Sequence, residues 1–261
     1  MKRAEKAIIK KDIRGITSNR RLFSALWIVP LALTVVLPSI FVCTAHFAPD
    51  DPDVLALLEL LPGAANTESV ELAIAGIIFN YILPAFFLMI PIMTASVMAA
   101  SAFVGEKEKH TLETLLYCPL SVKEIFRAKV LASLLLSMLV SLVSFAAMLT
   151  VLELEAVFLM GSPLLPGGGW VIVLFLLSPA VSLIAVTLIV RNSARAQSVE
   201  ESQQSAVFLI IPVILLVVGQ FAGVMILNVW ILLGLSIVCA LLARRLLQRA
   251  VKRFTYEMLL K

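Results

Sequence analysis

The sequence predicts an all-α membrane protein with six transmembrane helices, and three observations carry that expectation. Of 261 residues, 61% are hydrophobic and the mean hydropathy is +1.04, against roughly 45–50% apolar residues in soluble domains. Charges sit in short stretches, and the runs between them reach the roughly 20 apolar residues that a helix needs to cross a hydrocarbon core. All 21 Lys and Arg residues fall in four clusters, which an even number of crossings between them places on one side. The whole chain, 1–261, reads as one transmembrane domain. Residues 1–21 form a cytoplasmic amphipathic helix, 22–243 a six-span bundle and 244–261 a cytoplasmic basic tail.

Before the first span, Ile9, Ile13 and Ile16 recur at i, i+4 and i+7, with Arg3, Lys10, Lys11 and Arg14 on the other side. This is the pattern of an interfacial helix with its apolar stripe in the bilayer surface. A plain positive anchor is the alternative. The apolar stretch 22–47 exceeds the roughly 7–15 residues of a signal-peptide core and lacks a small-x-small cleavage site, so it reads as a retained span.

Residues 72–104 form an uncharged run of 33 residues, roughly 50 Å as a helix. The second span is therefore set at 80–104, interrupted by Pro84 and Pro91, with its first turns outside or along the interface. The following loop carries an alternating charge run. A short helix then presents Leu112, Leu115 and Leu116 on one face, and Pro119 stops it; a solvated loop fits the same residues. Ser121 and Glu124 form a capping box before the third span, 125–151, and Ser198 and Glu201 another before the fifth. On span three, Ser133, Ser137, Ser141 and Ser144 share a face. They fit either a close packing seam or a polar lining.

The fourth span is set at 169–190, after Gly167, Gly168 and Gly169, whose cluster reads as a flexible turn. The last uncharged stretch, 206–243, has 38 residues. Two spans, 206–223 and 227–243, joined near Gly219, Gly223 and Asn228 fit it; a re-entrant pair is the alternative. Residues 48–71 and 152–169 carry no Lys or Arg but eight acids, so they belong outside and both chain ends belong in the cytoplasm of a cell membrane protein.

Several chemistries are missing. There is no phosphate-binding loop of the G-x-x-x-x-G-K-[ST] type and no H-E-x-x-H. His46 and His110 fall on opposite sides of the predicted membrane and cannot share a metal. Cys43, Cys118 and Cys239 have no metal or disulfide spacing. Glu200 and Glu201 lack the intramembrane histidines that a protease reading would require. No span has a charged residue at its centre, where ion-coupled carriers place one. Energy for any transport must then come from elsewhere. The basic balance of +4 follows the membrane topology and does not imply nucleic acid.

Residues 105–121 resemble the G-E-[KR]-E-x-x-T-L-E-x-L-L-x-x-P-[VL]-S signature of ABC-2 type transporter permeases. The stretch from Lys11 to Arg14, with Asn19, Arg20 and Arg21, is similar to that family's leading helix. His110 departs from the pattern, standing where members often have Gly. The resemblance implies a permease dimer, of two copies or of a copy and a paralogue, in an exporter of lipids, glycans, peptides, drugs or ions. A cytoplasmic ABC ATPase subunit would bind the ATP and Mg, leaving this chain non-enzymatic and without a cofactor of its own. The loop after span two would be the coupling helix that seats on that ATPase, formed by Glu106, Glu108, Thr111, Leu112, Glu113, Leu115, Leu116 and Pro119. A membrane scaffold or immunity subunit that binds an ATPase without moving a substrate is the alternative.

Overall fold

A computed structural model describes residues 3–47, 70–108, 120–193, 196, 198–204, 206–221 and 228–253. Every regular element among the described residues is a helix, and six helical segments are long and apolar enough to cross a membrane. Helix α1 (Arg3–Ser18) leads into α2 (Arg20–Phe47). Asn19 separates them: its carbonyl accepts from the Phe23 amide at 2.9 Å, opening α2.

The second span is built from α3 (Val70–Ile77), a π-helical turn (Ile78–Ile82), α4 (Leu83–Phe87) and α5 (Met89–Glu108). It begins ten residues before the expected 80. Its first turns bury Ile74 and Ala75 against neighbouring helices. Both prolines leave a mark. Pro84 has no N–H to give the preceding turn, and the widened turn ends just before it, with the Leu83 amide donating to the Ile78 carbonyl. The break at Leu88 lies three residues before Pro91, whose ring excludes a regular turn below it.

Helix α6 (Val122–Met160) holds the third span. The Ser121 box closes its start: Ser121 Oγ accepts from the Glu124 amide at 3.3 Å, and the Ser121 amide donates to Glu124 Oε2 at 2.9 Å. At 39 residues it is about 58 Å long, so it continues nine residues into the segment 152–169 expected to be a loop. Gly161, at φ 72°, ends it in the left-handed conformation that glycine reaches without strain. The fourth span joins α7 (Gly169–Ile172), a second π-helical turn (Val173–Leu177) and α8 (Ser178–Ser193). That π turn again precedes a proline, Pro179. Then follow α9 (Val199–Gln204), α10 (Val207–Phe221) and α11 (Val229–Arg253). Two helices are thus described within 206–243, and Asn228 Oδ1 accepts from the Val229 amide at 2.6 Å to start the second.

Spans two and four are the centre of the bundle: 72% and 61% of their most apolar windows are buried, against 17–33% for the other four. The peripheral helices turn large apolar side chains outward, including Leu139 and Leu142 on α6, Phe208 and Leu215 on α10, and Trp230 on α11. Such faces suit lipid or a partner helix and not water. At the acidic end, Trp170 packs on Phe79, Phe87 and Phe145 with ring centroids 4.9–5.5 Å apart. Gly167 allows this closure, because its amide donates to Asn80 Oδ1 at 2.6 Å and a Cβ there would meet the same oxygen at 2.9 Å.

Candidate functional site

Three helices converge at the end of the bundle that carries the basic clusters. Helix α1 packs along α6 and touches α5. Its buried face is formed by Ile8, Ile9, Asp12 and Ile16, and Ile13 packs partly against the core. The isoleucine stripe therefore lies against this chain's own helices.

On that face Asp12 meets two residues from distant parts of the chain. Lys129, two turns into α6, is 2% exposed, and Glu106, near the end of α5, is 7% exposed. Lys129 Nζ lies 2.8 Å from Glu106 Oε2 and 3.8 Å from Asp12 Oδ2. It also donates to the Ala102 carbonyl and sits 5.5 Å from the centroid of the Phe103 ring. Half-exposed Lys11 caps the arrangement with a hydrogen bond to Glu106 Oε1. The two cations and two carboxylates cancel in charge, which makes their burial tolerable. Burial raises the pKa of Asp12 above the ordinary carboxylate range, with Lys129 pulling the other way.

Glu108, two residues further along α5, accepts from the Val199 amide at 3.3 Å through Oε2. A carboxylate suits the first turn of α9 because the amides there are unpaired within the helix. Ser198 Oγ accepts from the Glu201 amide at 3.1 Å in the same turn. The two described ends of the loop after span two are therefore anchored. Glu106 ties one flank to α1 and α6, Glu108 ties it to α9, and the Ser121 box fixes the other flank.

This chain belongs to a known transporter family by direct comparison. A family model described as an ABC-2 family transporter protein matches residues 66–244, more than two thirds of the chain.

The protein is an ABC-2 family permease.

No curated protein and no solved structure matches the chain. The family places it as a multi-pass transmembrane subunit of a transport system, and ABC-2 permeases generally work with an ABC ATPase.

Among the residues expected to form a coupling helix, Glu106 and Glu108 are described and make the contacts above. Thr111, Leu112, Glu113, Leu115, Leu116 and Pro119 lie outside the described residues. Glu106, expected in the helix that would seat on an ATPase, is buried in the chain. The four serines of α6 are brought together on one buried face, each at most 1% exposed. Ser137 Oγ lies 3.2 Å from Ser182 Oγ on α8, and Ser182 reaches the Pro91 carbonyl at 3.5 Å. Ser133 donates to the Lys129 carbonyl at 3.0 Å. His46 and Glu71 pair at 2.8 Å at the acidic end.

Lys129 and Asp12 were missed as site residues. Asp12 had a signal: it lies at i+4 from Ile8 and i−4 from Ile16, on the buried face of α1. Lys129 had a weaker one, standing two turns beyond a capping box inside an apolar run.

Proposed function

We propose that this chain is the permease subunit of an ATP-driven exporter in the cell membrane, with both ends cytoplasmic. It pairs with a second permease copy or paralogue and takes its energy from a separate ABC ATPase through the loop 105–119. The observation that carries this reading is the anchoring of that loop's flanks within a chain of the ABC-2 family. A push on the loop reaches α5 and α6 directly, α1 through the buried ion cluster, and α9 through Glu108. The force therefore enters central span two and peripheral span three together. Absence of a phosphate-binding loop in the sequence fits a separate ATPase chain. The orientation rests on the segregation of all Lys and Arg from the two acidic segments.

The test is on the loop itself. Leu112, Leu115 and Leu116 make an apolar face on a helix too short to be stable alone, so they need a partner to pack on. Glu113→Lys should weaken ATPase association by about 2–5 kcal/mol where its pair is buried. Leu116→Asp should leave the spans inserted yet separate ATP hydrolysis from transport. Co-purification of the ATPase, with basal and stimulated hydrolysis, reads both. If both variants bind and stimulate like wild type, the loop is not the coupling element.

A further inference from the structure

At the basic end of the bundle α6 and α11 each pack near α8, and a partly open cavity of about 780 Å³ lies between them. That volume lies within the roughly 300–1,000 Å³ of small-molecule sites. Its walls are sorted by depth. Arg127 stands in the second turn of α6, and Gln248 and Lys252 in the last turns of α11, all near the helix ends. Leu131 and Leu134 lie one and two turns deeper on α6, level with Leu183 of α8.

Charge is sorted too. No acid is among the described walls, and no ion pair joins Arg127 or Lys252 to another described residue. The outer faces of the same two helices are apolar and exposed, with Leu139 and Leu142 on α6 and Leu241 and Leu242 on α11. A leucine-walled space at that depth does not hold water well. What reaches it from the side, across faces that shun water, is lipid.

We propose that this cavity holds an anionic phospholipid of the leaflet on the basic side. Its phosphate sits between Arg127 and Lys252 with the Gln248 amide as a further donor, and one acyl chain runs along Leu131, Leu134 and Leu183. A zwitterionic lipid satisfies the leucines equally well but brings a cationic group toward two cations. The two cations therefore select for net negative charge. The site is separate from the coupling loop and does not depend on the exporter reading.

The experiment uses the full-length chain in phosphatidylcholine nanodiscs doped with phosphatidylglycerol that carries a diazirine in an acyl chain. After illumination, cross-linked peptides are mapped by mass spectrometry. Labels are expected in 126–134 and 247–252, about ten-fold or more above those from phosphatidylcholine with the same diazirine, because each cation favours an anionic headgroup. Arg127→Gln with Lys252→Gln should remove that preference, whereas Lys123→Gln, on the same helix outside the cavity, should keep it. Leu134→Trp fills the cavity and should abolish labelling; should that variant misfold, the Gln pair, which changes only exposed side chains, decides. Equal labelling by both lipids, labels on other helices, or an unchanged Gln variant would overturn the proposal. So would labelling that arises only after removal of 254–261, which assigns the cavity to the chain's own tail. Labelling present in monomers and absent from dimers would assign it to a second copy.

Discussion

Lys129→Met tests whether the ion cluster at the basic end works as a unit. The side chain it replaces lies 2.8 Å from one buried carboxylate and 3.8 Å from another. At an effective dielectric of about 20 these contacts are worth about 6 and about 4 kcal/mol gross. Removing the ions from water costs several kcal/mol each, so the complete cluster contributes little net stability. Removing only the cation is different. Glu106 and Asp12 then face each other with only half-exposed Lys11 to offset them, at a cost of about 3–5 kcal/mol. The triple variant Lys129→Met, Glu106→Gln, Asp12→Asn leaves no buried charge and should return close to wild type. The pH dependence has a defined sign. Burial already raises the Asp12 pKa in the folded state and Lys129 opposes it. With Lys129 gone the folded value rises further above the unfolded one. The folded state then binds a proton that the unfolded state releases, so stability falls as pH rises between those two values. Lowering the pH from 7 toward 5 should therefore rescue Lys129→Met in part. The assay is the temperature at which half the detergent-solubilised protein survives heating, read by size exclusion at both pH values. A single variant within about 0.5 kcal/mol of wild type, the range of surface changes, would refute this account. So would a triple variant no better than the single one.

Three further outcomes are expected. In a cysteine-free background, single cysteines at Asp51 and Gly168 should label from outside intact cells; protection of both would reverse the assigned topology. Ser137→Leu and Ser141→Leu should each lose about 1–3 kcal/mol by overpacking the buried face of α6; normal folding with lost export would instead make that face a substrate lining. Trp170→Ala should cost about 3–5 kcal/mol, since it empties the space between Phe79, Phe87 and Phe145. A melting point unchanged from wild type would remove that aromatic cluster from the stabilising core.

Much of the fold is a matter of local chemistry and was therefore legible in the chain. Apolar run lengths foretold six spans because span length is set by hydrocarbon thickness and rise per residue, both properties of a single segment. The Ser121–Glu124 box closes within four residues, so its sequence specifies its geometry. Boundaries were less legible where packing extends a helix past its apolar run. Helix α3 forms over 70–77 against its neighbours, and α6 continues through Glu153 and Glu155 to Met160. Pro84 and Pro91 marked where regular turns had to fail, but not that the failure before Pro84 would take the form of a π turn, nor that Pro179 would be preceded by another.

The ion cluster was decided by tertiary structure alone. Lys129 counted toward charge segregation in sequence, which it satisfies whether exposed or buried. Glu106 matched a loop signature that says nothing about which way its carboxylate turns. Asp12 lies 117 positions from Lys129, and no periodicity within either helix relates them. Their meeting follows from α1 packing along α6. The serine face is the same case: spacing put four hydroxyls in one row, and only packing against neighbouring helices, α8 at Ser137 among them, determined that the row is buried. Apolar length and capping act within a few residues, so sequence determines them. Pairing of buried charges depends on which helix faces approach, and that is fixed only when the whole bundle has packed.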